Sequence, residues 1–257
     1  MSRLLCEKCE KELDTKTLVA NNVYNCSKCG LVEAIQSEIS KKYELTEETF
    51  MGCRRIVALR DFVAENSAKH YFQVKKGDRG GFIESEANLS HEGNCWVGDS
   101  ARVSDNAKVY DDALIENFAV IDGDARVYGS SKVNGRSHVC GNAKVYGNSE
   151  VSGKSRVAGK AKVHATARIQ DNAEVSGEAE VCGYSRICED AKVSGKAKVY
   201  GGTDVFGKAE IKGNVKINAR VVVDGDIVLD GDIVINSLEE YEAERDKITK
   251  SRDKGRV

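Results

Sequence analysis

Val145-Tyr-Gly-Asn-Ser-Glu150 and Val175-Ser-Gly-Glu-Ala-Glu180 are two copies of the six-residue pattern that decides the fold. Each opens on a β-branched residue, carries glycine third and a small residue fifth. The pattern runs outward from them without a break from Val97 to Ile235, twenty-three hexads whose first position is always Val, Ile or Leu. The fifth position is Ala, Ser or Thr in nineteen consecutive hexads from Ala101 to Ala209, then becomes Val215, Val221, Ile227 and Ile233. The third position is mostly Gly, Asp or Asn, the residues whose backbones tolerate left-handed dihedrals. Self-similarity at so short a period marks a β-helix. Each hexad is one side of a triangular coil: the branched residue fills the bore, the small one fits beside a corner, and the third makes the bend. Three hexads complete a coil, and stacked coils lie about 4.8 Å apart as parallel strands. The expectation is an all-β chain with about eight coils over residues 97–235.

Composition agrees with a narrow, repetitive core. Aromatics are 6% of the 257 residues, too few to fill a round globule, and there is no proline, so the turns fall to Gly, Asn and Asp. The net charge of -2 gives no global attraction to nucleic acid or membrane, so any electrostatic function must be local. No apolar run approaches the length of a membrane span, and Met1 to Cys6 lacks a signal-peptide core. A soluble, cytoplasmic protein is expected.

The N-terminal thirty residues read differently. Cys6-Glu-Lys-Cys9 and Cys26-Ser-Lys-Cys29-Gly30 are two C-x2-C pairs, and two such knuckles complete a tetrahedral Zn site. Between them, Leu18-Val-Ala20 and Val23-Tyr-Asn25 flank Asn21-Asn22, a two-residue hairpin turn that folds one knuckle back on the other. Residues 1–30 are therefore expected to be a zinc ribbon, with zinc standing in for a core too small to form. Residues 31–96 are assigned to a connector and an N-terminal cap of the solenoid. Within it Leu31, Ile35, Ile39 and Tyr43 fall at helical spacing, which predicts a short helix. After Asn236 the hexads stop, and Ser237-Leu-Glu-Glu240 offers a capping box for a terminal helix over residues 236–257.

The hexads are similar to those of left-handed β-helix transferases. Val57-Ala-Leu-Arg-Asp-Phe62, Lys76-Gly-Asp-Arg-Gly-Gly-Phe-Ile-Glu-Ser85 and Asn88-Leu-Ser-His-Glu-Gly-Asn-Cys-Trp-Val97 resemble the YdcK-like hexapeptide-repeat proteins of bacteria and phages. The likeness covers about Cys53 to Ile235 and omits the cysteine knuckles. It implies left-handedness, which period alone does not give. It also implies a homotrimer associated through flat faces, and allows a CoA-dependent acyltransferase, in which a histidine base works in a cleft between subunits.

In the expected coil, outward residues eighteen apart share a face. One face carries Lys108/Tyr110, Arg126/Tyr128, Lys144/Tyr146, Lys162/His164, Glu180/Cys182 and Lys198/Tyr200, and the other two show no such order. From Arg126 to Arg220 there are seventeen Lys and Arg against nine Asp and Glu. Cations with interleaved aromatics suit a protein partner, an anionic small ligand, or a nucleotide captured by stacking its base. Nucleic acid is a further possible partner, unsupported by the net charge. For catalysis the chain offers His70, His91, His138 and His164, none within a clear motif; His91 and His164 are the weak candidates. Cys53, Cys95, Cys140 and Cys188 have no pairing spacing and read as passive thiols. The reading leans away from an enzyme and toward a non-catalytic binding or scaffold protein. The acyltransferase and nucleotide capture between subunits are its alternatives.

Overall fold

The computed structural model describes residues 3–6, 18–20, 23–26, 28–37, 41–65 and 71–254. The chain divides into two compact units, residues 1–42 and 43–257.

The first unit holds a four-stranded antiparallel sheet of β1 (Arg3–Cys6), β2 (Leu18–Ala20), β3 (Val23–Cys26) and β4 (Gly30–Ser37), in the order β1-β4-β3-β2. β2 and β3 pair as the expected hairpin, with Ala20 opposite Val23. The helix expected over Leu31 to Tyr43 is replaced by β4. This strand pairs on both edges, Leu5 with Ile35 on one side and Tyr24 with Val32 on the other. Two ladders of backbone hydrogen bonds outweigh an i, i+4 pattern that has no tertiary partner, and the branched Val32 and Ile35 suit a strand.

The second unit is a parallel β-solenoid of about nine turns ending in a helix. Twenty-four strands of two or three residues, β10 (Trp96–Val97) to β33 (Val234–Ile235), recur every six residues. They stack into three sheets, each strand pairing with the one eighteen residues on, as Val127 with Val145 and Val145 with Val163. The first-position residues are buried from Val97 to Ile235, and the fifth-position small residues are buried with them. At four of these positions serine replaces alanine with its hydroxyl satisfied, donating back to a carbonyl three residues earlier, as Ser131 to Tyr128 at 2.8 Å and Ser149 to Tyr146 at 2.9 Å; the buried Ser185 hydroxyl has no partner among the described residues.

The corners explain the third position. Nearly all are left-handed, and where glycine is absent an acid or amide often stands in. Asp105 and Asp111 hold φ near +56° and accept the backbone N–H of Gly123 and Gly129, one coil further on, at 2.9 and 3.1 Å. The hydrogen bond offsets the steric cost of a side chain in that region.

The solenoid begins one coil before Val97. β5 (Tyr43–Phe50), β6 (Cys53–Ala58) and β9 (Arg79–Ile83) form an antiparallel extension of one sheet, and β9 pairs in parallel with β11 (Arg102–Val103). Gly80 and Gly81 permit this junction, since a Cβ at either would lie 2.5 Å from Ile56 or from the Ala101 carbonyl. The buried steps run Ile83, Leu89, then Val97, so two extra residues between Leu89 and Val97 break the hexad register. The loop they form carries His91. A hairpin of β7 (Phe62–Glu65) and β8 (Tyr71–Val74) sets Phe62 edge-on against Trp96. At the other end α1 (Leu238–Lys254) buries Tyr241. Half of the expected capping box forms: Glu240 N–H donates to Ser237 Oγ, while the Glu240 carboxylate accepts from Asn236 N–H, one residue before the cap. Among the described residues no helix is long and apolar enough to cross a membrane.

Candidate functional site

The wall singled out by the hexad register is the eight-stranded sheet from β12 (Lys108–Val109) to β33. Its strands place Lys108, Arg126, Lys144 and Lys162 in one column, in direct register with each other. The next outward column holds Tyr110, Tyr128, Tyr146 and His164, whose rings stack at 4.8, 4.9 and 4.7 Å within 6° of parallel. Stacking follows from the fold, because the rise per coil equals the preferred separation of offset aromatic rings. The column ends at His164, since Cys182 separates it from Tyr200.

This geometry limits one expected use of the aromatics to the ends of the column. Tyr128 and Tyr146 each have both ring faces covered by neighbours, so a nucleotide base cannot stack on either. They present ring edges and hydroxyls. Burial, the largest cause, raises the pKa of Tyr110, Tyr128 and Tyr146, so the phenols stay protonated donors. Tyr128→Ala removes two stacked contacts and is expected to lower stability by roughly 1 to 3 kcal/mol, read as a fall in the denaturant midpoint; no shift would make the ladder ornamental.

Beside the rings stand four stacked cations. Several charges elsewhere on the rod are matched between coils, as Lys132 with Glu116 at 2.6 Å, Lys160 with Glu178 at 3.1 Å and Arg186 with Asp204 at 2.9 Å. Lys108, Arg126, Lys144 and Lys162 make no ion pair among the described residues. Unit charges one coil apart repel by roughly 0.9 kcal/mol in water and about 3.5 at a half-buried surface. A counter-charge from outside therefore gains more here than anywhere else on the wall. Lys198, further along, is already neutralised by Glu180 at 3.3 Å.

The histidines sit in packing and pairing roles. His164 meets Glu180 Oε1 at 3.0 Å through Nε2 while its ring lies on Tyr146. Burial opposes the charge on Glu180, but hydrogen bonds from His164 and Lys198 outweigh it and hold the carboxyl below its ordinary pKa. Cys182 is pushed the other way, first by burial and then by Glu180, so its thiol is kept protonated and poorly nucleophilic. His91 lies half-buried and stacked on the buried Tyr43 at 4.2 Å, while the Tyr43 hydroxyl donates to the Leu89 carbonyl at 2.7 Å. His70 lies outside the described residues.

A second cluster was missed in the sequence. Asp122, His138 and Cys140 bring carboxylate, imidazole and thiol donor atoms within 4.8 Å of one another on another wall, a set of metal-ligand type. Its hydrogen bonds favour a different role. Arg156, always a donor, meets His138 Nδ1 at 3.2 Å, so Nδ1 accepts and the ring proton is on Nε2, facing Asp122 at 2.8 Å. Nε2 is then a donor within a charge-matched chain from Asp122 to Arg156, and burial raises the Cys140 thiol pKa.

Of the four knuckle cysteines, Cys9 lies outside the described residues. Cys6 closes β1 opposite Ala34, and Cys26 closes β3 opposite Gly30. β1 and β3 flank β4 and run the same way. Cys29 follows in a half-buried turn.

No family model matches the chain, and no curated protein matches it significantly.

Proposed function

We propose that the chain is a non-catalytic binding protein whose solenoid holds an anionic ligand or an acidic partner protein against the wall of Lys108, Arg126, Lys144 and Lys162. One observation carries this reading: these four like charges stand in consecutive register without a counter-ion, beside a ladder of stacked rings. The rings fix the spacing of the wall, and the cations supply attraction that needs no moving part. Association into a homotrimer belongs to the same reading. It would use the other walls, whose outward columns mix both signs, as Lys132 beside Glu150 and Glu174 beside Lys192. The hexad likeness supports a left-handed coil.

Native mass spectrometry of the freshly purified chain tests the binding role. The expected result is a carried mass that disappears from the triple variant Tyr128→Ala, Lys144→Ala, Tyr146→Ala while the oligomer persists. Loss of the oligomer, with no carried mass in either protein, would make the wall a subunit interface.

The head completes the proposal. Cys6, Cys9, Cys26 and Cys29 would hold one structural zinc ion as thiolates, which suits a reducing, cytoplasmic setting. Metal analysis should find about one zinc per chain, and Cys6→Ser should release it and unfold residues 1–42 while the solenoid melts unchanged. A zinc-free wild-type chain with a folded head would contradict this.

A further inference from the structure

The charge on the rod is concentrated more sharply than the wall alone suggests. From Arg126 to Arg168 there are nine Lys and Arg and a single acid, Glu150. Across that belt a groove of about 570 Å³ runs between a corner and the cation column, lined by Asp124, Arg126, Asn142, Lys144, Lys160 and Lys162. Three of its four cations, Arg126, Lys144 and Lys162, are those without an ion pair.

Such a groove is a product of the fold, since corner and mid-side residues leave a channel between them. A second one, of about 390 Å³, lies between another corner and another wall, lined by Asn172, Asp190, Lys192, Lys208 and Glu210. That channel carries two cations and two carboxylates and is internally balanced. The first carries four cations and one carboxylate. The difference between the two is charge, and charge therefore identifies what the first would take.

Resting on the reading of this wall as an anion surface, we infer that the first groove binds a linear oligophosphate, its phosphate chain lying along the rod axis. Arg126, Lys144 and Lys162 rise by about 4.8 Å per coil, so they span roughly 10 Å. A single phosphate or carboxylate would satisfy one of them, whereas a chain of phosphates reaches all three. From the corner side Asn142 adds an amide, and Lys160, already paired with Glu178 at 3.1 Å, adds a partly neutralised cation. Asp124, which accepts from Asn106 at 3.1 Å, sits beside Arg126 and repels an anion there, so the phosphates concentrate toward Lys144, Lys160 and Lys162. The covered faces of Tyr128 and Tyr146 offer no stacking to a base. Recognition thus falls on the phosphates, and any attached nucleoside projects into solvent.

The test is calorimetric titration of inorganic triphosphate into the full chain, repeated at raised salt. Wild type should bind, and binding should weaken as salt rises. Lys144→Gln with Lys162→Gln should reduce affinity at least about tenfold, as two charge-assisted contacts are lost. Lys192→Gln with Lys208→Gln, in the balanced groove, should change it less than about twofold. Thermal melts should match wild type, because removing like charges from a surface relieves repulsion. No binding by wild type, or equal loss in both double variants, overturns the inference. A short polyglutamate peptide separates the two levels. If the peptide binds the wall and triphosphate does not, the oligophosphate assignment falls and the binding role stands. If neither binds and the wall variant only disassembles, both fall.

Discussion

Val145→Asp is expected to destroy the single cooperative unfolding of the solenoid. Val145 is fully buried, stacked in the bore between Val127 and Val163. A carboxylate there must ionise without a partner or bind a proton, a cost of roughly 4 kcal/mol or more. In a rod whose coils touch only their neighbours, the damage divides the cooperative unit. Amide exchange should then show protection lost around residues 127–163 while the C-terminal coils retain it. Val145→Ala, which removes two methyl groups, should cost only about 2 kcal/mol and keep one transition. An aspartate variant as stable as the alanine one would mean the side chain faces water.

The second large effect falls on a corner. Gly153 has φ near +75°, and a Cβ built on it would stand 2.6 Å from both the nitrogen and the oxygen of Asp171 in the next coil. Gly153→Ala therefore meets both the left-handed penalty and a backbone collision, together roughly 2 to 4 kcal/mol. Gly183 is the control. Its φ is close, near +70°, but its Cβ would come no nearer than 3.6 Å to Gly201. Gly183→Ala should cost about 1 kcal/mol, the conformational penalty alone. Equal thermal shifts for the two variants would remove the collision from the account.

The solenoid was legible because each hexad position answers one physical demand, for filling, for closeness or for a bend. What the sequence hid was hidden by two departures from that rule. The two residues added between Leu89 and Val97 shift the register, so the first coil reads as cap, although Ile83 and Leu89 already lie in the bore. The strand β4 carries an accidental helical spacing, and only its two strand partners decide against it. The wall itself was visible, because Tyr110, Tyr128 and Tyr146 recur at eighteen. The ion pairs were not, because several run diagonally: Asp122 with His138, His164 with Glu180 and Glu116 with Lys132 are sixteen apart, joining neighbouring columns of successive coils. A search at eighteen passes over them, which also hid the Asp122, His138 and Cys140 cluster.

Every functional statement about the wall requires residues eighteen apart to stand side by side, and cross-linking tests that most directly. With Lys144 and Lys162 both replaced by cysteine, mild oxidation followed by peptide mapping should show a bond between positions 144 and 162, which the strand register pairs. Lys144→Cys with Glu150→Cys, on different walls, should give none. A bond between 144 and 150, with none between 144 and 162, would contradict the account.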